Sequence, residues 1–418
     1  MTEISRENLV YYKKRHLDEM GTMCKYDGEF IRIIKKSKTN YVKKLMAEDG
    51  LIEELMRQDL IPRCWISDMT YEGKMIMCHE KIEPCQQTPL QWSFEMQKAA
   101  ALLVLKVNDI CNSYGYELMD CHQYNVLFSG TVPRYIDVGS IVKKGSGLWR
   151  ARKEFLMQYY YLLKLWSKGY QRLANSFLAT LTTSDYPLYV EVYSSLMGKE
   201  EIKDEDFDFR EMAEEIAGIE NADEKGFWSG YQSDFWENGH VEKRFEKEIE
   251  WIKSTDATTM TELGANQGYF SWFVCNNTNI DRIIATDFDR GALDMMYKRF
   301  SKDESVKDKV TPLFLDFCLS GDNVIAGMKS DLVVANALVH HLIFTSKMSI
   351  SVIVERLAMI TGKYLIVEFM PRGMANGSRL PKWYNLQWFL DNLSDRFEVI
   401  KVEEGIEFGR IQVYAKRR

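Results

Sequence analysis

The chain is predicted to be α/β: a doubly wound parallel sheet closed by an antiparallel pair in its second half, joined to an α+β domain in its first. Three observations predict this. The 418 residues exceed one ordinary hydrophobic core, so two domains are expected. Residues 200–226 are acidic and poor in large apolar side chains, which suits a solvated helix or linker. Beyond them, short apolar runs alternate with helical patterns, the signature of a parallel sheet covered on both faces. The expected domains are residues 1–199 and 241–418, with 200–240 as an acidic helical linker.

The first half opens with "YDGEFIRII", which reads as a hairpin. "NYVKKLMAEDGLIEELMRQ" reads as one helix, and "KMIMCHEKIEP" as a strand running into a hinge. "SFEMQKAAALLVLKVNDICNSYG" reads as a long apolar helix stopped by Gly115. In the second half the expected strands are "TTMTEL", "RIIATD", "TPLFLD", "DLVVAN" and "YLIVEF". "FEVIKV" and "RIQVYAK", separated by a Gly-containing turn, read as an antiparallel pair at the sheet edge.

Composition narrows the function. A net charge of −7 gives no global field for nucleic acid, so none is expected as a partner. No apolar run suggests a signal peptide or a bilayer span, and a cytoplasmic location is expected. The eight cysteines form no CxxC pair, which argues against a zinc site or a disulfide framework.

The turn after the first strand of the second half, "ELGANQG", places Glu262 before Gly264, Asn266 and Gly268. In doubly wound sheets ligands sit at the carboxyl ends of strands, and glycines there admit a ligand close to the backbone. Asp287 ends the next strand at an interval of about 20 residues, which suits a ribose diol. A dinucleotide or S-adenosylmethionine would satisfy this pair. The acid just before the turn disfavours a pyrophosphate and suits a cationic amino-acid ligand.

The ordered pieces "ELGANQGYFS", "ATDFD", "FLDFC" and "DLVVANALVHHLIF" resemble the class I S-adenosylmethionine methyltransferases, with their Rossmann-like fold. The resemblance implies that Glu262, Gly264, Asn266 and Gly268 hold the methionine end and Asp287 the ribose. It further implies that Asp316 and Phe317 meet the adenine, and that Asn336 lies near the sulfonium. The simpler alternatives are a tight turn for the glycines and a helix cap for Asp287.

For the acceptor, "NALVHH" lacks the Asn-Pro-Pro-Tyr-like run of amino-methylating nucleic-acid enzymes. His340 and His341 are the candidate general bases for a hydroxyl, a role imidazole suits near neutrality. Adjacent helical residues point about 100° apart, so one of the two should face the site. Glu368 and Arg372 are candidates to line the acceptor pocket, and Trp383 and Tyr384 to form an aromatic wall.

In the first half, Asp120 and Asn125 stand at the Asp-x-x-x-x-Asn interval, followed by Asp137 in "IDVG". This resembles the catalytic loop and metal-binding Asp of protein kinases and aminoglycoside-type phosphotransferases. The resemblance implies Asp120 as base, with Asn125 and Asp137 holding magnesium over ATP. The departures are equally plain. No glycine-rich phosphate loop is present, and Arg32 or Lys35 would have to replace the phosphate-binding lysine.

With "GLIEELMRQDLIP", "QWSFEMQKAAALLVL", "ALVHHL" and "VEFMP", the chain is similar to a bacterial family that pairs a kinase-like segment with such a methyltransferase. That family is associated with nodulation or polysaccharide methylation. Where it places a proline-and-acid stretch, this chain has "MPRGMANGSRLP". Three readings follow. One is an O-methyltransferase of a sugar, surface-polysaccharide or other small-molecule precursor, with a noncatalytic kinase-like domain. The others are a bifunctional kinase–methyltransferase using ATP and magnesium, and a noncatalytic scaffold. A glycan or small molecule is the expected partner, with a second copy of the chain as a further one.

Overall fold

The computed structural model describes residues 2–11, 18–84, 86–180, 185–198, 202–203, 207–222, 226, 228–239, 243–373, 380–404 and 409–418. Cys85, residues 374–379 of the "MPRGMANGSRLP" stretch and parts of 200–240 lie outside them. Among the described residues, no helix is long and apolar enough to cross a membrane.

The chain forms two units. Unit 1 comprises residues 1–85, 96–128 and 133–222; unit 2 comprises 86–95, 129–132 and 223–418. The acidic stretch is thus divided. Its helix Phe209–Gly218, capped by Asp208 and burying Met212 and Ile216, belongs to unit 1. Its helix Ser233–Asn238 belongs to unit 2.

Unit 1 carries a six-stranded sheet. The predicted hairpin is Gly21–Tyr26 with Glu29–Ile34, and Lys74–His79 lies on its far side. The long helix runs Phe94–Ser113. One expectation fails in detail. The single helix over 40–58 is instead Thr39–Lys43, a π-turn Lys44–Glu48 and Leu51–Arg57. The break sits at Gly50, whose φ of 72° lies outside the helical region.

Unit 2 is built on seven strands: β1 Thr259–Leu263, β2 Arg282–Asp287, β3 Val310–Phe314, β4 Ser330–Ala335, β5 Thr361–Phe369, β6 Phe397–Glu404 and β7 Ile411–Arg417. Their order is β3-β2-β1-β4-β5-β7-β6. The first five are parallel, and β7 runs antiparallel to both β5 and β6. Each predicted strand is present. The inner strands are buried on both faces, which is why they read as unbroken apolar runs. Pro312 is tolerated in β3 because β3 is an edge strand.

The two short segments of unit 2 lie against its β3 side. Arg290 stacks 3.7 Å from the Phe314 ring and donates to the carbonyls of Trp92 and Leu90 at 2.6 and 2.8 Å. Gly130 N–H donates to Thr311 Oγ1 at 3.0 Å, and Thr131 N–H to the Lys307 carbonyl at 2.6 Å. The strand order reverses between β1 and β4, so the turns that follow them flank the natural ligand crevice of unit 2.

Candidate functional site

The turn after β1 takes its shape from its glycines. Gly264 and Gly268 have φ of 73° and 79°, and Asn266 has φ of 53°. A Cβ on Gly264 would meet only Leu338, at 3.8 Å, so the backbone is open to a ligand there. Gly268 caps the helix Tyr269–Asn277, and a Cβ on it would strike Met296 and Phe300 at 2.8 Å. The first glycine therefore exposes the turn, while the second packs the helix against the sheet.

Glu262 is buried at the end of β1 and accepts from Ser271 Oγ at 2.5 Å. Burial pushes its carboxyl up to about 8. Asp287, at the end of β2, accepts from the backbone N–H groups of Asn266 at 2.7 Å and Asp289 at 2.8 Å. Burial raises its carboxyl to about 6 against the pull of those amides. Asp316 follows β3 and accepts from the N–H groups of Cys318 and Leu319, both at 2.9 Å. Three acids thus stand at the ends of three adjacent parallel strands. Among the described residues none of the three forms an ion pair.

Phe317 is only 6% exposed, whereas Phe288, next to Asp287, is 56% exposed. The open ring beside the acids is therefore Phe288.

Asn336, at the end of β4, donates through Nδ2 to Glu248 Oε2 at 2.8 Å, and its Oδ1 is buried without a partner. Glu248 also accepts from Gln412 Nε2, and burial raises it to about 8. His340 is buried, its Nδ1 unpartnered, and desolvation lowers its imidazole to about 3. His341 is more open, is lowered by burial, and meets the Trp228 ring at 5.5 Å.

Glu368 is completely buried and accepts from Arg244 through both oxygens at 2.9 and 3.1 Å. It also accepts from Arg410 at 2.8 Å and from the Ala337 N–H at 2.8 Å. It therefore lines no acceptor pocket; it fixes the turn that carries Asn336 and the histidines. Arg372 is exposed, and Trp383, 49% exposed, packs 4.8 Å from Trp388 with the rings tilted by 56°. Tyr384 is instead buried among Phe344 and Phe369.

The sequence reading missed Arg244, Glu248, Arg410 and Gln412, and it missed the strap formed by 226 and 228–232. Trp228 N–H donates to Asp289 Oδ2 at 2.7 Å, and Asn266 Nδ2 donates to the Trp228 carbonyl at 2.7 Å. Gln267 Nε2 donates to the Ser229 carbonyl, and Tyr269 N–H to Gln232 Oε1 at 3.1 Å. The signal was present in "GANQGY", whose amides need partners, but those partners lie 37 and 38 residues away.

A cavity of about 500 Å³ opens elsewhere in unit 2, lined by Lys253, Thr255, Asn276, Asn277 and Thr278 among others. None of the acids or glycines above reaches it. The chemistry points to the turn rather than to this hollow.

In unit 1, Asp120, Asn125 and Asp137 are linked through their neighbours' hydrogen bonds. Ile136 N–H donates to the Asn125 carbonyl at 2.8 Å, and Tyr135 Oη to the Asp120 carbonyl at 2.6 Å. Arg32, buried on its strand, donates to Asp137 Oδ1 at 2.8 Å. Lys35 turns away to the Asp18 carbonyl. Beside Asp120, Glu154 is pushed up by burial and then by the Asp120 charge. Among the described residues, no group of three His, Cys, Asp or Glu could hold a metal ion.

No family model matches the chain. The nodulation protein NoeA of Rhizobium meliloti (strain 1021) is 26% identical over 367 residues, covering 75% of this chain and 76% of NoeA. Among solved structures, magnesium protoporphyrin IX methyltransferase (ChlM) from Synechocystis PCC 6803 with bound SAH is 15% identical. That similarity covers 46% of this chain and 97% of ChlM, with a TM-score of 0.35. The N-methyltransferase NodS from Bradyrhizobium japonicum WM9 is 11% identical, covering 42% of this chain and 97% of NodS, with a TM-score of 0.31.

Proposed function

We propose that unit 2 is an S-adenosylmethionine-dependent methyltransferase that methylates a hydroxyl of a sugar or polysaccharide precursor, and that unit 1 is a kinase-like domain without catalysis. The observation that carries the reading is the row Glu262, Asp287 and Asp316 at the ends of β1, β2 and β3, beside an open glycine turn. Glu262 and Asp287 are buried without a cationic partner of their own. An ammonium-bearing ligand supplies what Glu262 lacks, and a ribose diol suits Asp287. A pyrophosphate brings Glu262 no cation, and would repel it once ionised.

The donor supplies a methyl group on a positively charged sulfur. The chain supplies the rest. Glu262 and the Gly264 backbone hold the amino-acid end, and Asp287 the ribose. Asp316 faces the purine edge and Phe288 its face, in place of the buried Phe317. His341 is the base that takes the hydroxyl proton. His340, with its proton affinity depressed to about 3, is a weak base at neutral pH, so its role is packing. Trp383 and Trp388 offer an aromatic platform of the kind sugar rings use. The similarity to NoeA adds a setting in nodulation. In unit 1, the Arg32 guanidinium on Asp137 disfavours the phosphotransfer alternative.

Calorimetry on the full chain tests the cofactor. S-adenosylmethionine should bind, and Asp287→Asn should weaken it about tenfold, the value of a charge-assisted hydrogen bond of roughly 1.5–3 kcal/mol. Binding of NAD with no binding of S-adenosylmethionine would sink the reading. His341→Ala should then cut turnover with cofactor affinity nearly unchanged, and His340→Ala should cut it less. The reverse ranking would exchange their roles.

A further inference from the structure

The strap is tied to both halves of the crevice. The Trp228 backbone is bonded to Asp289 and Asn266, on the side of the β1 and β2 turns. Its indole reaches the other side, 5.5 Å from His341 with the rings at 67°. Tyr231 meets the indole edge-on at 6.0 Å and steadies it. Gly226 is fitted as closely, for a Cβ there would fall 1.7 Å from Asp289 Oδ1. The Trp228 backbone is therefore tied to the β1 and β2 turns while its indole packs against the histidine.

With the amino-acid end at Glu262, the ribose at Asp287 and the acceptor proton at His341, a bound sulfonium would lie beside that indole. We infer that Trp228 presents its π-face to the sulfonium and is the residue by which the protein tells methyl donor from spent product. This rests on the cofactor reading above. During transfer the acceptor oxygen forms a bond to the methyl carbon. The carbon–sulfur bond breaks, its electron pair stays on sulfur, and the hydroxyl proton passes to His341. The sulfur thereby changes from cation to neutral thioether. An indole face attracts the first as a cation and the second only through the weaker contact that a thioether sulfur makes with an aromatic ring, and of the aromatic side chains indole is the strongest partner for a cation.

The test is calorimetry on the full chain with S-adenosylmethionine and S-adenosylhomocysteine, for wild type, Trp228→Leu and Trp228→Phe. The Trp228→Leu variant should lose about fivefold or more in affinity for the donor, with product affinity held within about twofold. The Trp228→Phe variant should fall between the two. A parallel loss of both ligands would show that the strap only shapes the site and would overturn the assignment. So would an unchanged ratio of the two affinities in either variant. If Trp228→Leu does not fold, the ratio in Trp228→Phe decides alone. Failure of the wild type to bind either ligand would instead remove the cofactor reading, and this assignment with it.

Discussion

Two acids ending strands or turns, Asp137 in unit 1 and Glu262 in unit 2, have opposite surroundings. Asp137 is met by a guanidinium from its own chain, Arg32, itself only 3% exposed. Glu262 is met by the Ser271 hydroxyl, and burial, followed by the neighbouring Asp287 charge, drives its proton affinity up. The first charge has been answered from within. Glu262 has no ion-pair partner among the described residues, and burial keeps its proton on it up to about 8. Glu368 makes the same point inside unit 2: it is as buried as Glu262 but holds two arginines, so it builds the site without serving it.

The largest way to break this contrast is Glu368→Ala. It would leave Arg244 and Arg410 without their carboxylate and the Ala337 N–H without an acceptor. Removing one partner of a buried ion pair costs roughly 3–5 kcal/mol. Thermal melting should fall by about 10 °C for a domain of this size. A shift under about 2 °C would mean the turn is held by other contacts.

The next effect is on pH. Glu262 and Glu248 hold their protons to about 8 in the fold, far above the ordinary carboxylate value. The folded state therefore binds more protons than the unfolded one over this window. The stability they contribute is complete below their unfolded range and is lost as pH rises through about 8. Below about pH 6.5 the depressed imidazoles of His340, His341 and His79 act in the opposite sense. Between about pH 6.5 and 8, ligand-free stability should thus decline, by at most about 1.4 kcal/mol per pH unit for each acid. Glu262→Gln should flatten the decline, and a rise in stability across the window would contradict it. A cationic ligand should release a proton from Glu262 on binding, which calorimetry in buffers of different ionisation heat would detect.

The smallest effect concerns unit 1. If Arg32 is what denies Asp137 to a metal, wild type should show no magnesium-dependent thermal shift with ATP. Arg32→Met should gain a shift of a few degrees, of the size expected when a ligand is present at about tenfold its Kd. A wild-type shift that vanishes in Asp137→Asn would favour the bifunctional enzyme instead.

The seven strands of unit 2 were readable because each is a short apolar run ended by a turn residue. Glu262 and Asp287 were readable because strand ends and glycines sit beside them in the chain. The Glu368 clamp was not, since Arg244 lies 124 residues from its partner and a lone Arg on an amphipathic helix carries no sign of its role. Phe317 and Phe288 show another limit: both follow an acid at a strand end, and only packing decides which ring is open. Trp228 sat within a stretch whose acidity suggested a linker. Composition averaged over about 40 positions hid a few residues that bond to the β1 and β2 turns.

The hairpin tip at residues 129–132 carries a final consequence. Gly130, with φ of 60°, lies so close that a Cβ would fall 2.0 Å from the Lys307 carbonyl. Together with residues 86–95 it completes the β3 side of unit 2 from chain made long before the strands themselves. Unit 2 is therefore a discontinuous body, and one cut at 222/223 does not release it whole. A fragment starting there would lack the segments that bond to Lys307, Thr311 and Arg290 beside β3. A cassette carrying this half of the chain would have to include residues 86–95 and 129–132 as well.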